Sequence, residues 1–572
     1  MLNISEYSNF IWAVADNLRG DYKQADYGKV ILPLTVIRRL DCVLADTRDK
    51  VLKQYESIKD KNIQDPDVLL NKTAGYKFHN HSKYDFTKLI ADPDNIKSNL
   101  RTYLNGFSQE AQDILEHFDF DKEVEKLDKS DLLYQILKKF EEIDLHPKKV
   151  RNLEMGYIFE ELIRKFAEQS NETAGEHFTP REVIKLMVNL LFTNDSEILS
   201  KKGIVKTLYD PACGTGGMLT VAEDYLYELN PDSRLELFGQ ETNDESYAIC
   251  KSDMLITGHN AEHIKHKDTL REDMLRDNKF DYMLSNPPFG VEWKKSSKEV
   301  KKEYEELGFS GRFGAGLPSI SDGSLLFLQT MISKMKSANG GSRIGIVFNG
   351  SPLFTGNAGS GPSNIRKWII ENDMLEVIVA LPNQLFYNTG ISTYIWIVTN
   401  RKEPIRRGKV QLINAVEFYK KMSKSLGNKR NEISDEDIER ITKRYGNFKE
   451  GKFSKIFDNE DFGYNQITVE RPAKDKNGNV ILDKKGNPKP DSSLRDTENV
   501  PLKEDIHEYF EREVIPHVPD AWIDESKTKI GYEINLTKYF YEFKPLRSLE
   551  KITKDILELE KETSGLLKEI LS

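Results

Sequence analysis

The segment Phe280-Asp281-Tyr282-Met283-Leu284-Ser285-Asn286-Pro287-Pro288-Phe289 runs from apolar residues into an Asn, two prolines and an aromatic ring. That set suits the handling of an amino group. The exocyclic amine of a nucleobase is a weak nucleophile, because its lone pair is delocalised into the ring. The side-chain oxygen of Asn286 and the carbonyl of Pro287 can accept both amine hydrogens and draw the nitrogen toward tetrahedral geometry, with no strong base involved. Pro287 and Pro288 donate no backbone hydrogen bond and stiffen the turn, and Phe289 offers a face on which a base can stack. A strand followed by a proline-stiffened turn explains the same residues without chemistry, so the elements around them must decide.

Upstream, Asp210-Pro211-Ala212-Cys213-Gly214-Thr215-Gly216-Gly217 lies between a short apolar strand and a helix start. Glycines there permit positive φ and close backbone approach, and the following amides sit at a helix N-terminus. The spacing departs from G-x-G-x-x-G, which predicts a ligand without a pyrophosphate and leaves Asp210 free to face a cation. A second strand, residues 234–241, ends in Glu241, where a carboxylate for sugar hydroxyls belongs. Strands and helices then alternate to about residue 399, which predicts an α/β doubly wound sheet over residues 151–415. Residues 1–150 read as a helical domain, with helices at 10–20 and 31–44. Residues 416–545 read as irregular, with an exposed hairpin or loop insertion at 474–488. In 546–572, Leu549, Ile552, Ile556, Leu559, Thr563, Leu566 and Ile570 form one seam of a helix that would pack on its own domain or on another chain.

With these motifs in this order, the chain resembles the S-adenosylmethionine-dependent amino-methyltransferases. More narrowly, it resembles the modification subunit of type I restriction-modification systems over almost its whole length. The resemblance implies a Rossmann-like methyltransferase sheet with an N-terminal helical domain and a C-terminal helical extension. It implies that Asp210, Gly214, Thr215, Gly216 and Gly217 bind S-adenosyl-L-methionine, with Glu241 on the ribose. It implies that Asn286, Pro287, Pro288 and Phe289 are the catalytic motif of adenine-N6 methylation. Residues 174–181 resemble the family's additional cofactor motif, which would contribute Glu176, His177, Phe178, Thr179, Pro180 and Arg181. Local rules offer another role for part of it, with Thr179 capping a helix that starts at Pro180 and Glu182 closing a capping box. Asp268 resembles the acid that meets the cofactor's adenine, or is a surface acid before a helix. Residues 381–393 resemble the target-side motifs, shaping the base pocket or packing the last strands. The family further implies duplex DNA as substrate, with a specificity subunit to read the sequence and a restriction subunit as the other partner. Two copies of this chain per specificity subunit are implied as well.

Composition sets the remaining bounds. A net charge of −10 is awkward for a protein gripping DNA alone, since phosphate contacts come from clustered Lys and Arg. A partner is therefore expected to supply much of the grip. Lys294, Lys295, Lys298, Lys301 and Lys302 form a local patch interleaved with acids, and the glycine-rich run 308–318 reads as flexible, either a segment that closes over an extruded base or a disordered surface loop. Three cysteines without a CxxC pair and ten scattered histidines predict neither a disulfide framework nor a protein-bound metal. With no export or anchoring signal and no membrane span, a cytoplasmic location is expected. Two other readings stand beside the DNA enzyme: a stand-alone amino-methyltransferase acting on RNA or protein, and a catalytically silent scaffold of a defence complex.

Overall fold

A computed structural model of the chain describes residues 4–170, 179–337, 340–387, 389–541 and 548–571. Glu176, His177 and Phe178 lie outside the described residues. The chain divides into two units, Met1–Ile534 and Asn535–Ser572.

The first unit opens with short helices from Ile4–Asn17 to Leu133–Glu141, packed around the helix Gly28–Leu44. This helix is apolar on nearly every side, so it can only be a central element of the bundle. Its Arg39 is 2 % exposed. The guanidinium donates to the Val150 carbonyl at 2.8 Å and to Asn152 Oδ1 at 2.6 Å, which ties the bundle to the head of the long helix Asn152–Ser170.

The central sheet uses β1 (Val205–Asp210), β2 (Arg234–Glu241), β3 (Ile264–His266), β4 (Tyr282–Ser285), β5 (Arg343–Asn349), β6 (Leu375–Ala380), β7 (Thr393–Thr399), β8 (Lys409–Asn414) and β11 (Ser454–Asp458). Between the last two in sequence lies a hairpin of β9 (Lys420–Leu426) and β10 (Lys429–Glu432). The sheet order is β11-β8-β6-β7-β5-β4-β1-β2-β3. β7 runs antiparallel to β5 and β6, and β11 antiparallel to β8; the other pairs are parallel. β6 is buried throughout, as expected of a strand covered on both faces. From β1 the chain proceeds to β2 on one side, while β4 pairs on the other. The carboxyl ends of β1 and β4 therefore open the crevice where doubly wound sheets bind ligands. Register aligns Leu208 with Tyr282 and Tyr209 with Met283, which brings Asp210 beside Ser285.

Two expectations are corrected. Among the described residues, the region beyond 415 holds more regular structure than expected: β11 extends the central sheet, and β12 (Gly463–Glu470), β13 (Asp496–Pro501), β14 (Trp522–Ile523) and β15 (Lys529–Tyr532) build a second sheet, while residues 471–495 between β12 and β13 form no strand or helix. β13 is polar, β14 has two residues, and in β12 only Ile467 and Val469 alternate as apolar residues, so little apolar alternation announces them. The run 308–318 is tied down rather than free. Arg312 grips Glu303 at 2.7 Å and donates to the carbonyls of Thr269 and Leu270 at 2.7 and 3.1 Å, and Phe313 is fully buried. A Cβ on Gly314 would stand 2.5 Å from the Gly308 backbone, so this glycine serves close approach rather than motion.

Residues 474–488 do contain turns, at Gly478 and Gly486, both at φ 84. In the second unit, Leu549, Ile556 and Leu559 on the helix Leu549–Leu571 are exposed; the side chains of Leu566 and Ile570 lie outside the described residues. Among the described residues no helix is long and apolar enough to cross a membrane.

Candidate active site

The glycine loop joins β1 to the helix Gly217–Leu229. Gly214 and Gly216 hold φ 54 and 88. A Cβ on Gly216 would lie 2.9 Å from Cys250 Sγ, and one on Gly217 would lie 2.8 Å from Glu160 Oε1. These two positions need glycine for space as well as, at Gly216, for conformation. Beside them lies a cavity of about 250 Å³. Of the residues expected at a site, Thr179, Asp210, Gly214, Thr215, Gly217, Glu241, Asp268, Asn286 and Pro288 all line it. Pro180, Arg181, Gly216, Pro287 and Phe289 are their chain neighbours without lining it. Glu160 and Phe327 also line it and were not read from the sequence.

Three acids around the loop have separate tasks. Asp210 Oδ1 accepts the Ala212 N–H and the Ser285 hydroxyl, each at 2.9 Å. Burial pushes its carboxyl up to about 7; the two hydrogen bonds oppose that rise, and the charge of Glu241 adds to it. Glu241 Oε1 accepts the N–H groups of Thr242 and Asn243, and Oε2 that of Gly214, all at 2.8 Å. An ionised carboxylate oxygen accepts about two hydrogen bonds, so Oε2 retains capacity for a hydroxyl. Asp268 accepts the Leu270 N–H at 2.9 Å through Oδ1 and the Ser296 hydroxyl through Oδ2.

Glu160, from the helix Asn152–Ser170, is met by Arg181 Nη2 at 2.8 Å. Burial raises the Glu160 carboxyl and the Arg181 charge lowers it. Arg181 stacks over Tyr157 at 4.0 Å and reaches the cavity only through Glu160.

On the target side, Asn286 Nδ2 donates to Thr179 Oγ1 at 2.8 Å. The expected cap is thereby corrected. The helix starts at Arg181 with Pro180 in the N-cap position and no side chain capping it, and Glu182 pairs with Lys429 instead. A tertiary partner has taken the hydroxyl that local rules assign to the helix end. Phe289 is 7 % exposed and meets Phe386 edge-on, with ring centroids 6.1 Å apart and planes at 77°.

The fold also gathers His117, Asp244 and His266, three possible metal donors within 4.8 Å of one another. Both imidazoles face Asp244 Oδ1, at 3.0 and 3.4 Å. They come from distant segments, so histidine spacing could not reveal the group.

Comparison with known proteins agrees with this geometry. Residues 151–477 match the N-6 DNA Methylase family model, and residues 7–140 match the HsdM N-terminal domain. The type I restriction enzyme MjaIX methylase subunit of Methanocaldococcus jannaschii is 27 % identical over 83 % of both chains. The EcoEI methylase subunit of Escherichia coli is 32 % identical over 47 % of this chain and half of its own length. The crystal structure of the type I restriction-modification methyltransferase subunit from Streptococcus thermophilus superposes with a TM-score of 0.64 at 26 % identity, covering 80 % of this chain and 97 % of that one. An RNA or protein methyltransferase and a silent scaffold are not favoured, since residues 151–477 match the N-6 DNA Methylase model, these relatives are type I methylase subunits, and both motifs are intact here. The chain belongs to the N-6 DNA methylase family, as a type I modification subunit: an S-adenosylmethionine-dependent DNA adenine-N6 methyltransferase.

Proposed function

We propose that the cavity between the glycine loop and the Asn286 turn is where this chain methylates an adenine extruded from duplex DNA, at sites chosen by a separate specificity subunit. The observation that carries the reading is that one cavity is lined by the loop, by Glu241 and Asp268, and by Asn286 and Pro288.

The residues present fit S-adenosylmethionine. Gly217 leaves a cradle that a Cβ would fill against Glu160. The Glu241 carboxylate keeps acceptor capacity for a ribose hydroxyl, and Asp210 is an acid beside the place of a cationic ligand. When bound, the cofactor supplies an electrophilic methyl group on a sulfonium. The chain's own residues then have these roles. Asn286, with its Nδ2 turned to Thr179, presents the oxygen end of its amide to the target amine, and the Pro287 carbonyl takes the second amine hydrogen. Acceptance of both hydrogens raises the nucleophilicity of the nitrogen without a base. Phe289 stacks the base after its ring is uncovered. Asp268 and Glu241 orient the cofactor's adenosine, and Asp210 its methionine end. Glu160, held by Arg181, sets the position of the helix start that carries Gly217. Glu176, His177 and Phe178 are assigned to the same cofactor on the strength of the motif resemblance alone.

The assembly consists of this subunit, a specificity subunit and a restriction subunit, with two copies of this chain for each specificity subunit. The exposed seam of the helix Leu549–Leu571 is the contact to the specificity subunit. The reading is tested by incubating the reconstituted complex with unmodified duplex and cofactor, then digesting the DNA for mass spectrometry. N6-methyladenine is the expected product; N4-methylcytosine alone, or methyl transfer only to RNA or protein, would reject it.

A further inference from the structure

The hairpin β9–β10 concentrates positive charge that the reading above leaves unused. The ribbon, residues 420–432, carries Lys420, Lys421, Lys424, Lys429 and Arg430 against one acid, Glu432, which stands opposite Lys420 in the register, in a chain of net charge −10. Lys420, Lys421, Lys424 and Arg430 are exposed, and among the described residues no ion pair neutralises any of the four. The lysines at 294–302 differ, because Glu299 and Glu303 share their helix. Lys429 has another task. It is 3 % exposed, and its Nζ pairs with Glu182 and donates to the Asn431 carbonyl at 2.9 Å.

That buried lysine is one of several bolts fixing the ribbon to the rim of the base pocket. The Asn428 N–H donates to the Tyr387 carbonyl at 2.7 Å, and those of Arg430 and Asn431 both donate to the Gln384 carbonyl, at 2.9 and 3.2 Å. Asn431 Nδ2 adds a bond to the Asn383 carbonyl at 2.9 Å. Gln384 sits in the left-handed region at φ 58, where a residue with a side chain needs such support. Between these anchor points stands Phe386, edge-on to Phe289 of the catalytic turn. The free cations therefore project from a rigid mount next to the place of the extruded base. A strand the length of β9 spans on the order of 20 Å, alongside which a duplex presents about one phosphate charge per 1.7 Å of axis.

We infer that the β9–β10 ribbon grips the phosphate backbone of duplex DNA beside the extruded adenine. This gives an acidic chain its own contact to the substrate, and it rests on the DNA-methyltransferase reading above. Two-stranded ribbons fit the width of a DNA groove, and the register shift between Lys429 and Asn431 twists this one.

The test compares the full complex with its specificity subunit to the same complex carrying Lys420→Ala, Lys421→Ala and Lys424→Ala together. Each is titrated with a duplex bearing the site across a salt series. Loss of three phosphate contacts makes the slope of log affinity against log salt shallower by about 3 and weakens binding at least about tenfold at low salt. Arg at all three positions restores both, and cofactor affinity is the same in every variant. An unchanged slope and affinity in the alanine variant overturn the inference. So does a variant that fails to join its partner subunits yet, once assembled with excess partner, shows the wild-type slope, because the ribbon would then be a protein-docking surface. A wild-type complex that binds duplex but transfers no methyl group would reject the enzymatic reading while the slope still decides the ribbon's role.

Discussion

Asn286 Nδ2 donates to the hydroxyl of Thr179, 107 residues earlier in the chain, at 2.8 Å. This bond sets which end of the Asn286 amide can accept. Replacing Thr179 with Val removes the acceptor while keeping the shape. Loss of one such hydrogen bond, about 1 to 3 kcal/mol, corresponds to roughly 5- to 150-fold slower methyl transfer. Thr179→Ser retains most of the activity. Single-turnover rates distinguish the variants, and equal rates for Val and Ser would remove Thr179 from the positioning of Asn286.

Asp210 gives a pH dependence. Its carboxyl ordinarily titrates near 3.8 and is raised to about 7 in the folded chain by burial. Between those values the folded chain holds a proton that the unfolded chain has lost. The resulting stabilisation is fully present below about 3.8 and is lost as pH rises through about 7. Urea midpoints of the unliganded chain should fall from about pH 5 to pH 8, and Asp210→Asn should flatten that fall. A cationic ligand favours the carboxylate, so cofactor binding near pH 7 should release a proton, seen by calorimetry in buffers of different ionisation enthalpy. Binding without proton release would mean that Asp210 does not meet the cationic end.

Gly216→Ala carries a left-handed backbone at φ 88 and a methyl 2.9 Å from Cys250 Sγ. The backbone alone costs about 1 to 2 kcal/mol in stability, and the loop shifts to make room. Cofactor affinity should drop with it. Gly214→Ala, at φ 54 with nothing within 4 Å of a Cβ, should cost only the backbone strain. Thermal melts and equilibrium titrations of the two variants should rank in that order, and equal effects would contradict the role given to Cys250.

Arg343 on β5 and Glu376 on β6, the two strands that flank β7, form an ion pair of 2.6 Å, 1 % and 0 % exposed, with the Tyr445 hydroxyl on both. Removing one partner strands a buried charge, so Glu376→Ala should lose about 3 to 5 kcal/mol. The double change Arg343→Met with Glu376→Leu should recover only part of it, because the buried Arg406, whose Nε lies 3.5 Å from Glu376 Oε1, still loses its carboxylate. A single variant as stable as wild type would show that the pair is not formed.

The sequence was most legible where local rules and tertiary structure agree. The strand expected at 234–241 is β2 to the residue, and Asp210, Glu241 and Asn286 line one cavity because strand order places β1 between β4 and β2. The capping role that local rules offer Thr179 fails because the partner of its hydroxyl, Asn286, is distant in sequence. Glu160 escaped notice for a similar reason: on its helix it is one more acid, and only folding sets it against Gly217 and Arg181. The run 308–318 was misjudged because glycine signals both motion and close packing, and here Arg312 and Phe313 decide for packing. Beyond residue 415, β9, β10 and β13 are polar and carry little pattern, and the second sheet's core draws only Ile467 and Val469 from β12 and Val500 from β13.

The helix Leu549–Leu571 supplies a prediction about assembly. Leu559 is 63 % exposed, and a glutamate there would be buried in an apolar contact if a partner covers the seam. Leu559→Glu should leave melting and cofactor binding unchanged and abolish co-sedimentation with the specificity subunit. Undisturbed assembly would place the partner contact elsewhere.

The most direct measurement is paired on one variant. Asn286→Ala in the reconstituted complex should bind S-adenosylmethionine with an affinity within about threefold of wild type, because it removes an acceptor for the target amine and no cofactor contact. Its methyl transfer to adenine should fall by at least about a hundredfold, the loss typical of a preorganised transition-state contact. Near-normal transfer by this variant would contradict the assignment of the Asn286 turn as the catalytic centre.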